Sequence, residues 1–321
     1  MYLVIDVGGT YIKYAKMTID GDILEKGKVP TPCKHGDKIE DFIDAITGIY
    51  NKYKEDNAVE GIAMDLPGQI DVDNGIVYGG GALKYLDEVN LQKLLMEKCD
   101  NVPVALENDA KSAALAEVWK GNAKDVNNAC VMVFGTGVGG GVIIDKKIHR
   151  GKNMLAGELS YFLGNMTRED LKSIQAVEST DVIYEIFDAD YFIMSSIVST
   201  SALCYRVAKK KNIDLSEVNG ELIYKWVKAG DREVEDILED FYFEIAKMCC
   251  SIYITIEPEV ILLGGGISAE PSFIEGIRKY VDQIKKISKV YSGIKLDKCK
   301  YLNDSNLYGA LYNFKQKYDM L

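Results

Sequence analysis

The sequence contains two similar glycine-rich motifs, each after an apolar run. The first copy reads Asp6-Val7-Gly8-Gly9-Thr10 and follows the apolar run Leu3-Val4-Ile5. The second copy reads Gly135-Thr136-Gly137-Val138-Gly139-Gly140-Gly141 and follows Val131-Met132-Val133-Phe134. In both places another strand-like run comes directly after the glycines, and a turn closes it. The glycines are therefore predicted to lie at the bends of two β-hairpins. Because this motif occurs twice at distant positions in the sequence, we expect the protein to have two related halves that face one polyphosphate.

A dinucleotide-binding fingerprint is the main alternative for the second cluster. Gly135, Gly137 and Gly140 have the spacing G-x-G-x-x-G. That fingerprint requires a helix after the glycines, whose amino end meets the pyrophosphate. Here Val142-Ile143-Ile144 follows, and a β-branched run is a poor way to begin a helix. We therefore rank nicotinamide or flavin binding behind nucleotide binding. A third interpretation, in which the glycines only make tight turns, stays open.

Composition limits the classes of partner. The chain has 321 residues and a net charge of −11, with no block of Lys and Arg, which argues against nucleic acid or an anionic membrane. No apolar run is long enough to span a bilayer, and nothing before the first strand resembles a signal peptide. The seven cysteines are scattered and odd in number, which is typical of a reduced compartment. We expect a cytoplasmic protein whose partners are small molecules.

Strand-like runs alternate with segments of helical spacing, which indicates an α/β protein. No linker of low complexity separates the halves. We place a small α/β domain at residues 1–115 and a large α/β domain at residues 116–303. A final helix at 304–321 is predicted to pack back on the small domain.

Three acidic positions are candidates for chemistry. Asp6 precedes the first glycines and can hold Mg²⁺ through water, or it can simply cap the turn. Asn108-Asp109 follows a predicted strand and precedes a predicted helix, where a carboxylate can take the proton of an attacking hydroxyl. Capping of that helix is the plainer interpretation. Glu158 can accept two hydrogen bonds from a diol, or it can be solvated surface. The two histidines, His35 and His149, form no metal site or catalytic triad with cysteine, serine or aspartate neighbours.

Taken in order, these motifs resemble the ROK family (repressor, open reading frame, kinase) of the actin-like ATPase superfamily. The resemblance covers nearly the whole chain and rests on six motifs: Asp6-Val7-Gly8-Gly9-Thr10, Pro67-Gly68, Glu107-Asn108-Asp109-Ala110, Gly135-Thr136-Gly137-Val138-Gly139-Gly140, Ala156-Gly157-Glu158 and Gly264-Gly265-Gly266. It implies a two-domain actin-like (ribonuclease H-like) fold, with a cleft between the domains for nucleotide and sugar. It also implies ATP as a substrate. Because a bound nucleotide needs a metal, we expect Mg²⁺ as well, and we expect a homodimer. Kinases of the family transfer the γ-phosphoryl group of ATP to a hexose hydroxyl.

The resemblance also implies a role for each motif. Asp109 becomes the general base, and Asp6 holds Mg²⁺ through water. The expected sugar-binding residues are Gly68, Gly81, Asn108, Glu158, Tyr161 and Glu178. The expected ATP-binding residues are Asp6, Gly8, Gly9, Thr10, Lys13, Gly135, Thr136, Gly137, Gly264, Gly265 and Gly266.

The chain departs from most of the family between Glu158 and Glu178. Most members carry Glu-x-Gly-His and then a three-cysteine zinc motif, whereas this chain reads Glu158-Leu159-Ser160-Tyr161 with no Cys or His before Glu178. We therefore expect no zinc site. The departure, and the stretch from Gly79 to Leu91, resemble the zinc-free branch that includes bacterial β-glucoside kinases. N-acetylmannosamine kinase, plain glucokinase and a sugar sensor without catalysis remain alternatives. A repressor would need a helix-turn-helix before the first glycine motif, and we expect none.

Overall fold

A computed structural model describes residues 1–34, 36–54, 59–81, 83–164, 166–169, 193–301 and 304–320. Contacts divide the chain into two compact units. The first unit comprises Met1–Asp125, Gly141–Ala156 and Asn303–Leu321, and the second comprises Val126–Gly140 and Gly157–Leu302. The division into domains at residues 115 and 116 stays a prediction of the sequence. None of the helices in the described ranges combines the length and apolar character needed to cross a bilayer.

The described segments form an α/β protein with mixed sheets, as expected. The strands, in chain order, are β1 Tyr2–Val7, β2 Tyr11–Met17, β3 Ile23–Pro30, β4 Gly61–Leu66, β5 Gln69–Asp71, β6 Ile76–Tyr78, β7 Val89–Asn90, β8 Val104–Asn108, β9 Ala129–Phe134, β10 Val138–Ile144, β11 Lys147–Ile148, β12 Val260–Gly264 and β13 Leu296–Lys298. The α-helices are α1 Ile39–Tyr53, α2 Leu91–Lys98, α3 Asp109–Trp119, α4 Met194–Val198, α5 Thr200–Lys211, α6 Gly220–Lys228, α7 Arg232–Ile256, α8 Pro271–Ile284 and α9 Ser305–Lys317. Short 3₁₀ turns occur between them.

The main sheet of the first unit has the strand order β3-β2-β1-β4-β8. β1 pairs antiparallel with β2, and parallel with β4, which in turn pairs parallel with β8. Every residue of β1, β4 and β8 is buried, which explains why these strands are mostly apolar in sequence. The parallel strands end at the same edge, so the residues after them, Pro67-Gly68 and Asp109, lie together with those of the β1–β2 turn.

Two apolar layers enclose this sheet. On one face α1 buries Phe42, Ile46 and Tyr50, which recur at helical spacing. On the other face α9 packs against the sheet through Leu307, Leu311 and Phe314. α9 also packs closely against α3. A Cβ on Gly309 would lie 1.7 Å from the carbonyl oxygen of Ser112 in α3, so this contact requires glycine. A second, three-stranded sheet, β5-β6-β7, completes the unit.

The other five-stranded sheet has the order β11-β10-β9-β12-β13. It repeats the plan of the first sheet, in which the β1–β2 hairpin is followed by the parallel strands β4 and β8. Here β9 and β10 are joined by only three residues, Gly135–Gly137, and β12 pairs parallel with both β9 and β13. The boundary between the compact units runs through β10 at Gly141. Gly8 and Gly9 thus lie at the bend of the first hairpin, and Gly135 and Gly137 at the bend of the second, as predicted, whereas Gly139, Gly140 and Gly141 lie within β10. α7, which is 25 residues long, supplies much of the core of the second unit.

Candidate functional site

Hydrogen bonds from the segment after β3 fix the turn between β1 and β2. Gly8 donates its backbone N–H to the Tyr11 carbonyl at 3.1 Å and closes the turn. The hydroxyl of the buried Thr31 donates to the Gly8 carbonyl at 2.6 Å, and the Thr31 N–H donates to the Thr10 carbonyl at 3.0 Å. The Cys33 thiol donates to the Gly9 carbonyl at 2.9 Å. The predicted nucleotide residues Gly8, Gly9 and Thr10 therefore form one rigid bend.

Asp6 lies just before this bend and is almost fully buried. Its Oδ2 accepts a hydrogen bond from Lys13 Nζ at 2.9 Å, which brings these two predicted residues together. Its Oδ1 accepts from Asn306 Nδ2 at 3.2 Å, and the same amide donates to Asp65 Oδ1 at 3.3 Å. Burial alone would lower the pKa of Lys13, but the pairing with Asp6 outweighs it and raises that pKa. Asp6 is thus oriented by a cation and an amide.

Asp65 is a candidate site residue that the sequence analysis missed. It lies in β4, is fully buried, and its Oδ2 has no hydrogen-bond partner among the described residues. Burial, followed by the charges of Asp6 and Asp109, raises the pKa of Asp65 well above its usual value. The available signal was a single acidic residue inside an apolar strand, since buried carboxylates are rare without a partner.

Asn108 and Asp109 lie at the junction of β8 and α3, as predicted. Asn108 caps the helix, because its Oδ1 accepts from the Lys111 N–H at 3.0 Å. Its Nδ2 donates to the Gly68 carbonyl at 3.0 Å. An amide retains one more acceptor and one more donor site in this arrangement, so a sugar can still bind to it. Asp109 Oδ1 accepts from the Ala110 N–H at 2.8 Å.

Gly68 and Gly81 are brought together beside Asn108. Gly68 has φ 110°, and a Cβ there would lie 2.6 Å from the Gly79 carbonyl oxygen. Gly81 has φ 60°, and its Cβ would touch the Pro67 side chain at 3.5 Å. Both positions therefore require or favour glycine, and the two loops pack backbone to backbone. The structure thus assembles Gly68, Gly81 and Asn108 at the edge that carries Asp109.

In the second unit the glycine cluster after β9, which begins at Gly135, meets the cluster at the end of β12, which begins at Gly264. Gly264 pairs with Val133 in the parallel register of β12 and β9. Gly265 has φ 90°, and a Cβ there would lie only 2.1 Å from the Phe134 carbonyl oxygen. The bend after β12 is therefore pressed against the end of β9, where Gly135 begins.

A cavity of about 940 Å³ opens beside these clusters. Gly135, Thr136 and Gly266 line it, whereas Gly137, Gly264 and Gly265 are not among its lining residues. Its other walls come from α5, α6, the turn before α6 and the start of α8, none of which the sequence analysis assigned to a site. These lining residues include Thr200, Leu215, Val218, Tyr224, Lys228 and Glu270. No short motif marks them, since they only converge in the tertiary structure.

The cavity offers both apolar and polar walls. Val218 and Ile267 are buried apolar residues, which suit the face of a purine base. Lys228 forms an ion pair with Glu270 at 3.0 Å along the rim. Thr200 Oγ1 is buried and has no hydrogen-bond partner in the described ranges. A hydroxyl without a partner next to Gly135 and Thr136 fits a polar ligand such as a nucleotide.

Glu158 and Tyr161 lie on a 3₁₀ turn of the second unit, in which Leu159 is buried. The turn packs on the start of β10, because Ser160 Oγ donates to the Val138 carbonyl. Glu158 is half-buried, and the Tyr161 side chain is 54 % exposed. Glu178 lies outside the described residues.

The residues around Asp6 fit a hydrated magnesium ion. Mg²⁺ usually keeps several waters and is held by one or two carboxylates together with substrate phosphates. Among the described residues, no three His, Cys, Asp or Glu side chains form a group able to hold a metal ion by themselves. Asp6, a buried carboxylate beside a glycine turn, would supply one such ligand through water.

Known proteins share both the sequence and the fold. A β-glucoside kinase from Klebsiella pneumoniae is 28 % identical over 98 % of this chain and 95 % of its own length. A glucokinase from Halalkalibacterium halodurans is 27 % identical over 98 % of this chain and 95 % of its own. The structure of a ROK family protein from Streptococcus pneumoniae in complex with sucrose has a TM-score of 0.82 and 30 % identity, covering 99 % of this chain and all of that one. The sequence profile of the ROK family matches residues 2–169 and 194–317. This chain belongs to the ROK family, and its fold is that of the actin-like ATPases.

Proposed function

We propose that this protein transfers the γ-phosphoryl group of ATP to the 6-hydroxyl of a hexose or β-glucoside, with Asp109 as the general base. The chain is an ATP-dependent carbohydrate kinase. The observation that carries the residue assignment is the edge of the first sheet, where Asp109 follows Asn108, and Asn108 is tied to Gly68. The proposed base and the two proposed sugar-binding loops would thereby be fixed on one compact unit.

In this reaction a sugar hydroxyl oxygen attacks the γ-phosphorus, its proton passes to the Asp109 carboxylate, and ADP leaves. Phosphoryl transfer needs little covalent participation by the protein, so catalysis depends on positioning and on charge. The cavity beside Gly135 and Thr136 suits the nucleoside part of ATP. Mg²⁺, which Asp6 would hold through water, neutralises charge on the phosphates when bound.

Replacing Asp109 tests the assignment. Asp109→Asn preserves the shape and removes the basicity, so we expect kcat to fall roughly 10²–10⁴-fold. The Kd of the sugar should stay within about tenfold, because the hydrogen-bonding shape remains. Measurement of ADP release and of sugar binding by calorimetry separates these effects. Near-normal turnover of the variant would refute the assignment of Asp109 as the base.

The sugar itself is proposed from Tyr161 and from the relatives. In most family members a histidine tied to zinc follows the first sugar-binding glutamate, whereas Tyr161 occupies that region here. The exposed ring of Tyr161 suits the apolar C–H face of a second sugar or of an aglycone. The Klebsiella pneumoniae relative is a β-glucoside kinase. We therefore propose β-glucosides such as cellobiose or aryl glucosides as substrates, with free glucose also accepted.

Tyr161→Ala provides the test of that proposal. We expect the KM for an aryl β-glucoside to rise by more than the KM for glucose. Phe162→Ala is a matched control, since Phe162 is a neighbouring aromatic that is 40 % exposed. Equal loss for both sugars, or no phosphorylation of any glucoside, would favour a glucokinase or an N-acetylmannosamine kinase.

Location and assembly complete the proposal. We place the enzyme in the cytoplasm, since its cysteine usage is typical of a reduced compartment and all seven cysteines are free thiols. We propose that the protein is a homodimer. Light scattering at several protein concentrations measures the assembly, and a mass of one chain throughout would refute it.

A further inference from the structure

A buried ion pair lies directly behind the proposed base. Glu107, the residue before Asn108, is 1 % exposed. Its Oε2 accepts hydrogen bonds from both Nε and Nη2 of Arg150, the former at 3.2 Å. Its Oε1 accepts from the Asn108 N–H at 2.9 Å. Because a buried carboxylate needs a partner, the Arg150 guanidinium is the group that holds Glu107 in this position.

The network closes on the same strand. Arg150 Nη2 also donates to Asn313 Oδ1 at 3.2 Å, and Asn313 Nδ2 donates to the Leu106 carbonyl at 3.0 Å. Three consecutive residues of β8, namely Leu106, Glu107 and Asn108, are therefore fixed by hydrogen bonds that meet at one guanidinium. Asp109 is the next residue in the chain, so its backbone has little freedom.

The segment that carries Arg150 is itself anchored. The Arg150 carbonyl accepts from the Ala156 N–H at 3.0 Å, which closes the segment into a loop. Gln69, next to Gly68, donates its side-chain amide to the Asn153 carbonyl at 2.6 Å. The loop thus connects to the Gly68 loop and to the Asn108–Asp109 junction. The planar fork of arginine suits this geometry in a way that a lysine ammonium does not.

We propose that Arg150 is a positioning residue of the kinase reaction, which acts through Glu107 to hold Asp109 in the orientation that accepts the hydroxyl proton. The inference rests on the proposed role of Asp109 as the base. Arg150 has no part in the chemistry itself. A misplacement of the base by a fraction of an ångström to about 1 Å would lower turnover, whereas sugar binding would depend on it far less.

Arg150→Lys tests the inference, because it keeps the charge and removes the fork. We expect kcat to fall roughly 10–100-fold, with the Kd of the sugar changed by less than about threefold. Lys317→Gln is the control for a general loss of stability. Lys317 lies on the same helix as Asn313, is half-buried, and donates to the Val72 carbonyl and to Gln92 Oε1, both at 2.6 Å. We expect Lys317→Gln to lower the melting temperature without a comparable change in kcat.

The decisive measurement places Arg150→Lys in the Asp109→Asn background. If Arg150 acts through Asp109, the second substitution lowers the residual kcat by less than about twofold, because coupled residues are not additive. An equal fold-loss in both backgrounds, or a wild-type kcat for Arg150→Lys alone, overturns the inference. Should Arg150→Lys fail to fold, Glu107→Gln replaces it, with the same pattern of effects expected. Near-normal turnover of Asp109→Asn would refute the base assignment and this inference together, whereas a strongly reduced kcat of Asp109→Asn with additive effects of the two substitutions would refute the inference alone.

Discussion

At the scale of single residues, the arrangement around Asp65 determines how Asp6 is held. Two carboxyl groups meet in the interior, with one amide, that of Asn306, donating to both. Two ionised carboxylates in such a place repel each other, so one of them holds a proton. Burial and the charges of Asp6 and Asp109 raise the pKa of Asp65, which identifies it as the protonated member. Asp6 is the member of the pair that contacts Lys13, at 2.9 Å, and that lies beside the glycine turn.

The stability of the protein should therefore depend on pH through Asp65. Above the ordinary pKa of aspartic acid, the unfolded chain loses this proton while the folded chain keeps it, so the free energy of unfolding falls as pH rises. Each unit of pKa difference corresponds to about 1.4 kcal/mol. Asp65→Asn removes the dependence, and its amide can still donate to Asp6. We expect the variant to gain stability relative to the wild type at pH 8 and to lose that advantage towards pH 4.

Urea unfolding at several pH values measures this difference. Asp20→Asn, at an exposed position, is the matched control and should show no such trend. A gain in stability for Asp65→Asn that is larger at pH 4 than at pH 8 would contradict the assignment of the proton.

At the scale of secondary structure, the bend after β12 depends on a single glycine. Gly265 adopts φ 90° and ψ 169°, a region that only glycine visits readily. A Cβ would also lie 2.1 Å from the Phe134 carbonyl oxygen. We expect Gly265→Ala to cost about 2 kcal/mol or more, because the backbone strain and the clash add.

The neighbouring glycine offers a matched control. A Cβ on Gly266 would meet nothing within 4 Å, so Gly266→Ala should change the melting temperature little. Thermal unfolding followed by circular dichroism compares the two variants. Equal melting temperatures would show that the bend can relax away from β9.

At the scale of the whole molecule, the chain is expected to fold without a structural metal. No Cys or His lies between Glu158 and Glu178, where most of the family places a zinc motif. Elemental analysis of protein purified without chelator should therefore find well below one zinc per chain. The melting temperature should be indifferent to EDTA, unlike that of a fold that depends on a bound metal. Stoichiometric zinc, or a loss of stability with EDTA, would contradict this prediction.

Local patterns in the sequence determined the elements and the two hairpin bends. Apolar runs, helical spacing and glycine clusters are local signals, because each reflects the conformation of a few neighbouring residues. They predicted the final helix, α9, within a few residues, and the strand-to-helix junction at Asn108–Asp109 as it stands. Five of the six motifs that carried the resemblance, those at Asp6, Pro67-Gly68, Asn108-Asp109, Gly135 and Gly264, fall where strands end.

Only the tertiary structure decided which side chains from distant segments meet. Three groups of residues show this, because no sequence spacing predicts that their members meet. They are the pair Asp6 and Asp65, the pair Glu107 and Arg150, and the residues Tyr224 and Lys228 that line the cavity beside Gly135. Long-range pairing depends on the order of strands in a sheet and on the packing of helices across it, and neither leaves a local pattern. A buried charge in an apolar strand signals that a partner exists, but its identity is decided by the fold.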